Sequence, residues 1–126
     1  MDVGGRRCRV LLVEDDADAL RLFRRLLQVC GFEVEAVDNG LDALPAAEKF
    51  EPDCVVSDIR MPGADGYQVA RRFRNHPKFG RIPLVALTAF GTPGESEEAG
   101  FDRHLEKPTQ VWNLVGVLRQ VAGGAT

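Results

Sequence analysis

The chain has 126 residues, of which 44% are hydrophobic, and its formal net charge is −3. This length and composition predict one globular domain with a sizeable core and exclude a disordered chain. The small negative charge gives no general attraction to nucleic acid, and no apolar run reaches the roughly 18 residues of a membrane span. Residues 1–7 lack the apolar core of a signal peptide, so we expect a cytoplasmic protein.

Short apolar runs that are typical of buried strands recur five times. They cover residues 8–13, 32–37, 54–57, 82–87 and 101–106. The segments between them show helical spacing; in the first, Leu20, Phe23 and Leu27 make one apolar stripe, which Leu22 and Val29 widen. The first, second, fourth and fifth predicted helices cover residues 17–30, 41–50, 95–99 and 109–121. The third predicted helix begins at residues 64–66. Alternating strands and helices predict an α/β fold: a single doubly wound, five-stranded parallel sheet with helices on both faces.

Two of the helical segments contain residues that disfavour a helix. Pro45 lies inside the second predicted helix, where its missing backbone N–H predicts a short or bent helix. In the fourth segment, Gly91, Pro93 and Gly94 leave only residues 95–99 as helix, about one turn. The domain is predicted to span residues 8–121, with an N-terminal tail at 1–7 and a C-terminal tail at 122–126.

Polar side chains follow the predicted strands at their carboxyl ends. Glu14 and Asp15 follow the first strand, Asp58 the third, Thr88 the fourth and Lys107 the fifth. Because right-handed crossovers bring these ends to one edge of the sheet, we expect the five side chains to converge. Three crowded carboxylates repel unless a cation neutralises them, and oxygen ligands suit Mg²⁺ best. Thr88 adds a hydroxyl and Lys107 an ammonium, and both groups suit the oxygens of a phosphoryl group. The whole set is typical of phosphoryl transfer to a carboxylate.

Five motifs, taken in order, resemble the receiver domains of two-component response regulators, and within that family His104 and the run Ala-Gly-Phe-Asp at 99–102 are similar to receivers attached to some hybrid sensor kinases. The five motifs are Val-Glu-Asp-Asp at 13–16, Ser-Asp-Ile-Arg-Met-Pro-Gly at 57–63, Asp-Gly-Tyr at 65–67, Leu-Thr-Ala at 87–89 and Lys-Pro at 107–108. The resemblance covers about residues 8–121. It implies the flavodoxin-like strand order 2-1-3-4-5, with the strands that lead to Glu14 and Asp58 as neighbours.

The resemblance implies a phosphoacceptor site centred on Asp58. Asp58 would take a phosphoryl group from the phosphohistidine of a histidine kinase or of a phosphotransfer protein. Thr88 and Lys107 would complete the catalytic set, while Arg60 and the Ala89 amide would bind the phosphoryl group. Lys107 is also expected to form a salt bridge to Asp58 in the resting state. Such a domain is not an enzyme in the ordinary sense, because it acts only on itself, by self-phosphotransfer and self-dephosphorylation.

The resemblance also implies which groups hold Mg²⁺. Asp15 would bind the ion directly and Glu14 would assist through water. Asp58 and the backbone carbonyl of Arg60 would complete the ligand set. The family further implies a cis peptide bond between Lys107 and the proline that follows it, a state that proline makes accessible.

Two features depart from the family pattern. His104 falls on the switch position, where tyrosine or phenylalanine is usual; the alternative is a surface histidine with no role. Between Thr88 and Lys107 the chain is shorter than the usual receiver, and the missing part comes from the fourth helix. Because that helix belongs to the family's output face, we expect its shortening to alter partner docking. Trp112 on the last helix is predicted to be partly exposed, either as a docking anchor or packed against the fourth helix.

We therefore expect a phosphoacceptor signalling domain with a histidine kinase or phosphotransfer protein as partner, and an effector protein or domain as a further partner. Neither nucleic acid nor a membrane is expected to bind. One alternative is a pseudo-receiver, which keeps the fold as an interaction module without phosphorylation-driven switching. Another is an aspartate-nucleophile phosphatase of the haloacid-dehalogenase type, although its nucleophile would follow the first strand. A single-domain regulator and a receiver from a hybrid kinase both remain open.

Overall fold

The structure, a computed structural model, describes residues 2–89, 93–107 and 111–123. A parallel sheet of five strands carries helices on both faces, which confirms the predicted α/β class. Its strands are β3 (Arg9–Val13), β4 (Glu33–Val37), β5 (Cys54–Ser57), β6 (Leu84–Thr88) and β7 (Arg103–Glu106), preceded by β1 (Asp2–Val3) and β2 (Arg6–Arg7). The helices are α1 (Ala17–Val29), α2 (Ala43–Phe50), α3 (Gly66–Arg74), α4 (Pro93–Ala99) and α5 (Val111–Leu118), which continues into a π-helical turn, Arg119–Gly123.

The strand order of the sheet is β4-β3-β5-β6-β7. Counted among the five sheet strands alone, this is the predicted order 2-1-3-4-5. In the parallel register, Val13 pairs with Ser57, and Thr88 pairs with Glu106. The carboxyl ends of β3, β5, β6 and β7 therefore meet at one edge of the sheet, where the candidate site residues follow them.

The core consists of two apolar clusters, one on each face of the sheet. Alternation along β3 divides its side chains between them: Leu11 and Val13 belong to one cluster, Val10 and Leu12 to the other. A strand that is buried on both faces reads as a continuous apolar run, and this explains why the sequence shows no polar alternation there. Among the helices in the described parts of the chain, no segment has the length and apolar character needed to span a membrane.

The helix boundaries follow from capping groups. Asp16 caps α1, because its carboxylate accepts hydrogen bonds from the backbone N–H groups of Asp18 (2.9 Å) and Ala19 (3.1 Å). Asp65 forms a capping box with Gln68 at the start of α3. Gly31, just past α1, has a φ of 99°, the conformation that ends many helices. These caps fix where α1 and α3 begin, and both follow a loop at the site edge.

Two helices differ from the sequence prediction at a proline. The second helix starts at Ala43 rather than at residue 41, so Pro45 lies in its first turn, where no backbone N–H needs a partner; the helix is short but not interrupted. The fourth helix starts at Pro93 rather than at Glu95, so the prediction of a single turn was wrong. Its seven residues still make it the shortest α-helix that the structure describes.

Two other predictions about the chain need correction. Leu22 and Val29 were assigned to the apolar stripe of α1, but they are 55% and 72% exposed, because this helix packs through a narrower face around Leu27. Residues 2–7, predicted as a tail, form an antiparallel ribbon of β1 and β2. Gly4 and Gly5, with φ of 58° and 81°, allow the tight turn between its strands.

Candidate functional site

Asp58 lies one residue beyond β5, at the carboxyl edge of the sheet. Its backbone N–H donates to the carbonyl of Val13 at 2.9 Å, and its own carbonyl accepts from the Ser57 hydroxyl at 2.8 Å. In the side chain, Oδ1 accepts from the N–H of Ile59 at 2.7 Å. The backbone of Asp58 is therefore fixed at the strand end, and the Ile59 N–H orients its carboxylate; the side chain is 11% exposed.

Glu14 and Asp15 bring two further carboxylates to Asp58. Glu14 follows β3, is 2% exposed, and its backbone N–H donates to the carbonyl of Val37 at 3.1 Å. Glu14, Asp15 and Asp58 each offer a carboxylate oxygen, and these oxygens lie within 4.8 Å of one another. Clustered carboxylate oxygens are the ligands that hard divalent cations prefer. The three acids could therefore hold a metal ion, as the strand-end argument predicted.

Lys107 supplies the positive charge of this cluster. Its Nζ donates to Oδ2 of Asp58 at 3.2 Å, which confirms the predicted salt bridge, and also to Oε1 of Glu14. The second contact was not predicted. Lys107 is tied to the next strand as well, because its backbone N–H donates to the carbonyl of Thr88 at 2.8 Å. One ammonium thus bridges two carboxylates that come from different strands.

The electrostatics of the cluster show how strongly it is crowded. Burial raises the pKa of Glu14 from 4.5 to about 7; Asp58 acts in the same direction and Lys107 opposes both. Burial alone would lower the pKa of Lys107, but the hydrogen bond to Glu14 and the charges of Asp58 and Glu14 outweigh it and raise that pKa. The three acids therefore carry more negative charge than Lys107 alone can neutralise, and this imbalance favours the binding of a further cation.

The remaining predicted site residues lie around the same cleft. Its volume is about 340 Å³, and the residues that line it are Glu14, Asp15, Asp16, Asp58, Arg60, Ala89 and Lys107. Six of the eight predicted site residues therefore line this cleft. Thr88 does not line it, but it lies at the end of β6, is only 1% exposed, and its carbonyl accepts from the N–H of Lys107. His104 lies outside the cleft.

The family model for the response regulator receiver domain matches residues 10–119 of this chain. The chain belongs to this family. The polar-differentiation response regulator DivK of Brucella anthropi is 31% identical over 119 residues, which cover 92% of this chain and 97% of that relative.

Solved receiver structures agree with the fold. The receiver domain of the sensor histidine kinase PA1611 from Pseudomonas aeruginosa superposes with a TM-score of 0.85 at 32% identity, covering 93% of this chain and 98% of that one. That structure has a magnesium ion coordinated in its active-site cleft. The chemotaxis protein CheY4 of Vibrio cholerae superposes with a TM-score of 0.86 at 29% identity, covering 91% and 98%. The chain is therefore similar both to free-standing response regulators and to receivers of sensor kinases.

Two residues that support Asp58 in this receiver were not given a role from the sequence. Ser57 is fully buried, and its hydroxyl holds the Asp58 carbonyl. Gly66 opens α3 so close to the strand end that a Cβ there would lie 2.3 Å from the Asp58 carbonyl oxygen. Its N–H donates to the carbonyl of Ile59 at 2.8 Å. The Asp-Gly motif at 65–66 was the available signal: the aspartate caps the helix and the glycine admits the approaching loop.

His104 lies on β7, at a distance from the receiver's acidic cleft. Its Nδ1 is 2.7 Å from the hydroxyl of Ser96 on α4, and its side chain is partly buried. This position does not fit the alternative of a free surface histidine. Trp112 is 65% exposed, which favours the prediction of an exposed side chain over one packed against the fourth helix. The predicted cis bond involves Pro108, which lies outside the described residues.

Proposed function

We propose that this receiver is a phosphoacceptor whose Asp58 takes a phosphoryl group from the phosphohistidine of a histidine kinase or phosphotransfer protein, in a Mg²⁺-dependent reaction. The observation that carries the proposal is the convergence of Glu14, Asp15 and Asp58 within 4.8 Å, beside the ammonium of Lys107. Carboxylates this close together repel one another and so lower the stability of the folded state. Such an arrangement is useful where a metal and a phosphoryl group must both be held.

In the proposed reaction, a carboxylate oxygen of Asp58 attacks phosphorus as the bond to the donor's imidazole nitrogen breaks. The electron pair of that bond stays on the imidazole, and an acyl phosphate forms on Asp58. Mg²⁺ would supply charge neutralisation, with Asp15 as direct ligand, Glu14 acting through water, and Asp58 and the Arg60 carbonyl completing the set. Donors for the phosphoryl oxygens would come from Lys107, the Thr88 hydroxyl and the Ala89 amide, all of which lie at the same sheet edge.

The proposed partners follow from the same chemistry. A phosphohistidine donor makes the first partner a kinase or phosphotransfer protein, and the second an effector protein or domain that reads the phosphorylated state. We expect a cytoplasmic location for the unit at residues 8–121, without direct binding to nucleic acid or membrane. The similarity to DivK and to sensor-kinase receivers supports a signalling role of this kind.

The fold alone does not separate this function from that of a pseudo-receiver. Incubation with Mg²⁺ and a small phosphodonor such as acetyl phosphate, followed by intact-mass measurement, does so. We expect the mass to increase by one phosphoryl group per chain. If the metal is chelated before the donor is added, we expect no increase. An unchanged mass would indicate a pseudo-receiver, and repeated turnover of the donor far faster than the lifetime of the adduct would indicate a phosphatase.

Mg²⁺ is expected to raise the melting temperature of the wild-type domain and to leave that of Asp15→Asn unchanged. The ion binds the folded cluster and not the unfolded chain, so it stabilises by mass action, and the amide replaces the anionic ligand by a neutral oxygen that binds Mg²⁺ far more weakly. Thermal unfolding with and without Mg²⁺ measures this. Asp18→Asn, an exposed change on α1, serves as the control and should respond like the wild type. A full response in Asp15→Asn would show that Asp15 is not the direct ligand.

Mg²⁺ affinity is expected to increase as the pH rises from about 6 to 8. The raised pKa of Glu14, about 7, means that its carboxyl group takes up a proton as the pH falls through that value, and ligand groups must be deprotonated. Without metal, the raised pKa of Glu14 also contributes to the free energy of unfolding: the contribution is fully present below pH 4.5 and is lost as the pH rises through about 7. Calorimetric titration at several pH values checks this; Glu14→Gln should give a flatter profile.

A further inference from the structure

Basic side chains collect at the edge of the sheet where the strands begin, opposite the acidic cleft. Four of them have a carboxylate partner there: the ion pairs are Arg6–Asp53, Arg9–Glu33, Arg74–Asp102 and Lys78–Glu51. Arg81 and Arg103 differ from these four. Both are exposed, and in the described part of the chain neither side chain has an ion pair or a hydrogen bond to another residue.

These two arginines line the same cleft, which we call the arginine cleft. Its volume is about 550 Å³, and the other residues that line it are Pro83, Asp102 and Val121. Arg81 lies in the loop that leads into β6, and Arg103 is the first residue of β7. Because β6 and β7 are neighbours in the sheet, the fold itself brings the two guanidinium groups to one place. A cleft of this volume has the size of a small-molecule site.

The one carboxylate in the arginine cleft does not serve as the counter-ion of either arginine. Oδ2 of Asp102 accepts from Nη2 of Arg74 at 3.0 Å and from the backbone N–H of Leu84 at 2.8 Å. Its negative charge is therefore already paired with a third guanidinium, which comes from α3. The walls of the cleft thus carry the positive charges of Arg81 and Arg103 without a carboxylate to neutralise them.

The remaining walls of the arginine cleft are apolar. Val121 packs against the core cluster that lies on the α5 side of the sheet. Pro83 has no backbone N–H, and its carbonyl accepts from the N–H of Val55 at 3.0 Å. The side chains of the cleft therefore offer hydrogen-bond donors beside apolar surface, while their single acceptor group is already paired. This combination suits an anion that carries an organic group.

We propose that the arginine cleft binds a small phosphate monoester, with Arg81 and Arg103 on the phosphate group and with Pro83 and Val121 against the organic part. Guanidinium groups suit this ligand, because their planar fork of N–H donors matches the oxygens of a phosphate group. The proposal does not rest on the phosphoacceptor function, since it needs neither Asp58 nor Mg²⁺. A ligand at this edge of the sheet would also leave the acidic cleft open to its own partners.

The site is tested by an NMR titration of the full chain with adenosine monophosphate as the probe. At about pH 8 the phosphate group of this probe carries about two negative charges. Metal ions are chelated, so that none can bring the phosphate group to the acidic cleft. We expect saturable shifts of the backbone amides of Arg81, Asp102 and Arg103, which weaken as salt is added. No saturable shift at these amides, or shifts only elsewhere in the chain, would overturn the proposal.

Variants separate a specific site from general attraction to positive charge. Arg81→Ala and Arg103→Ala should each weaken binding roughly tenfold, as for the loss of a hydrogen bond between charged groups. Arg81→Lys keeps the charge but loses the planar fork, so it should also weaken binding. Arg24→Ala is the matched control: it removes the same charge from an exposed arginine on α1, outside the cleft, and should bind like the wild type. Equal affinities of Arg81→Ala and Arg24→Ala would overturn the site.

Inorganic phosphate, as a second probe, separates the phosphate group from the organic part of the ligand. Adenosine monophosphate should bind more tightly than inorganic phosphate, because only its nucleoside can cover the apolar surface of Pro83 and Val121. Equal affinities for the two probes would overturn the role of these apolar walls. Both titrations are made without phosphodonor and without Mg²⁺, so their outcome does not depend on whether Asp58 is a phosphoacceptor.

Discussion

Asp58→Asn is expected to abolish formation of the acyl phosphate while leaving the fold intact. The amide has nearly the same shape as the carboxylate and can accept the hydrogen bond that Ile59 N–H donates to Oδ1, but it has no anionic oxygen to attack phosphorus. The expected effect is complete loss of the adduct with Mg²⁺ and acetyl phosphate, measured by intact mass. Loss of a nucleophile is the largest change that a single substitution at this site can produce.

Two controls make that result specific. Asp65→Asn alters a carboxylate that caps α3 outside the acidic cluster, and it should still be phosphorylated. Thr88→Ala keeps the nucleophile and removes one proposed donor, so it should slow the reaction without preventing it. Full phosphorylation of Asp58→Asn would mean that another residue is the acceptor.

Arg74→Ala is expected to lower the free energy of unfolding by about 2–3 kcal/mol, the largest stability effect that we predict. The guanidinium donates to the carbonyl of Gly100 from Nε (2.9 Å), to that of Ile82 from Nη1 (2.7 Å) and to the Asp102 carboxylate from Nη2 (3.0 Å). Asp102 in turn accepts from the N–H of Leu84 at 2.8 Å. Alanine would leave partly buried acceptors without their donor and would disconnect α3 from the strands on that side.

Urea unfolding measures the change, and the chain provides a matched control. Arg71 lies one turn earlier on α3 and is exposed, so Arg71→Ala should change stability by no more than about 0.5 kcal/mol. Both variants put alanine into the same helix, so helix propensity cancels. Equal stabilities of the two variants would show that the Arg74 contacts contribute little.

The site was predictable from the sequence because topology does most of the positioning. Once the strands alternate with helices, the right-handed crossover rule places all their carboxyl ends at one edge. The residues that follow those ends, such as Glu14 and Asp58, then converge whatever the details of packing. The salt bridge from Lys107 to Asp58 followed from the same argument. The additional contact from Lys107 to Glu14 did not, because it depends on a side-chain rotamer.

Other features depend on geometry that a pattern does not encode. The starts of α2 and α4 were misplaced because a proline inside a helix and a proline in its first turn look alike in sequence. Leu22 and Val29 have helical spacing, but only the packing of α1 decides that they face solvent. The contact between Ser96 and His104 depends on how α4 is rotated on the sheet, which spacing alone leaves undetermined.

The most direct test of the phosphoacceptor function is to identify the modified residue chemically. Borohydride reduces an acyl phosphate on aspartate to homoserine, which peptide mapping by mass spectrometry places in the sequence. After treatment with Mg²⁺ and acetyl phosphate, the account predicts homoserine at position 58 and at no other aspartate, and none when the metal is chelated first. Homoserine elsewhere, none at all, or equal conversion without metal would contradict it.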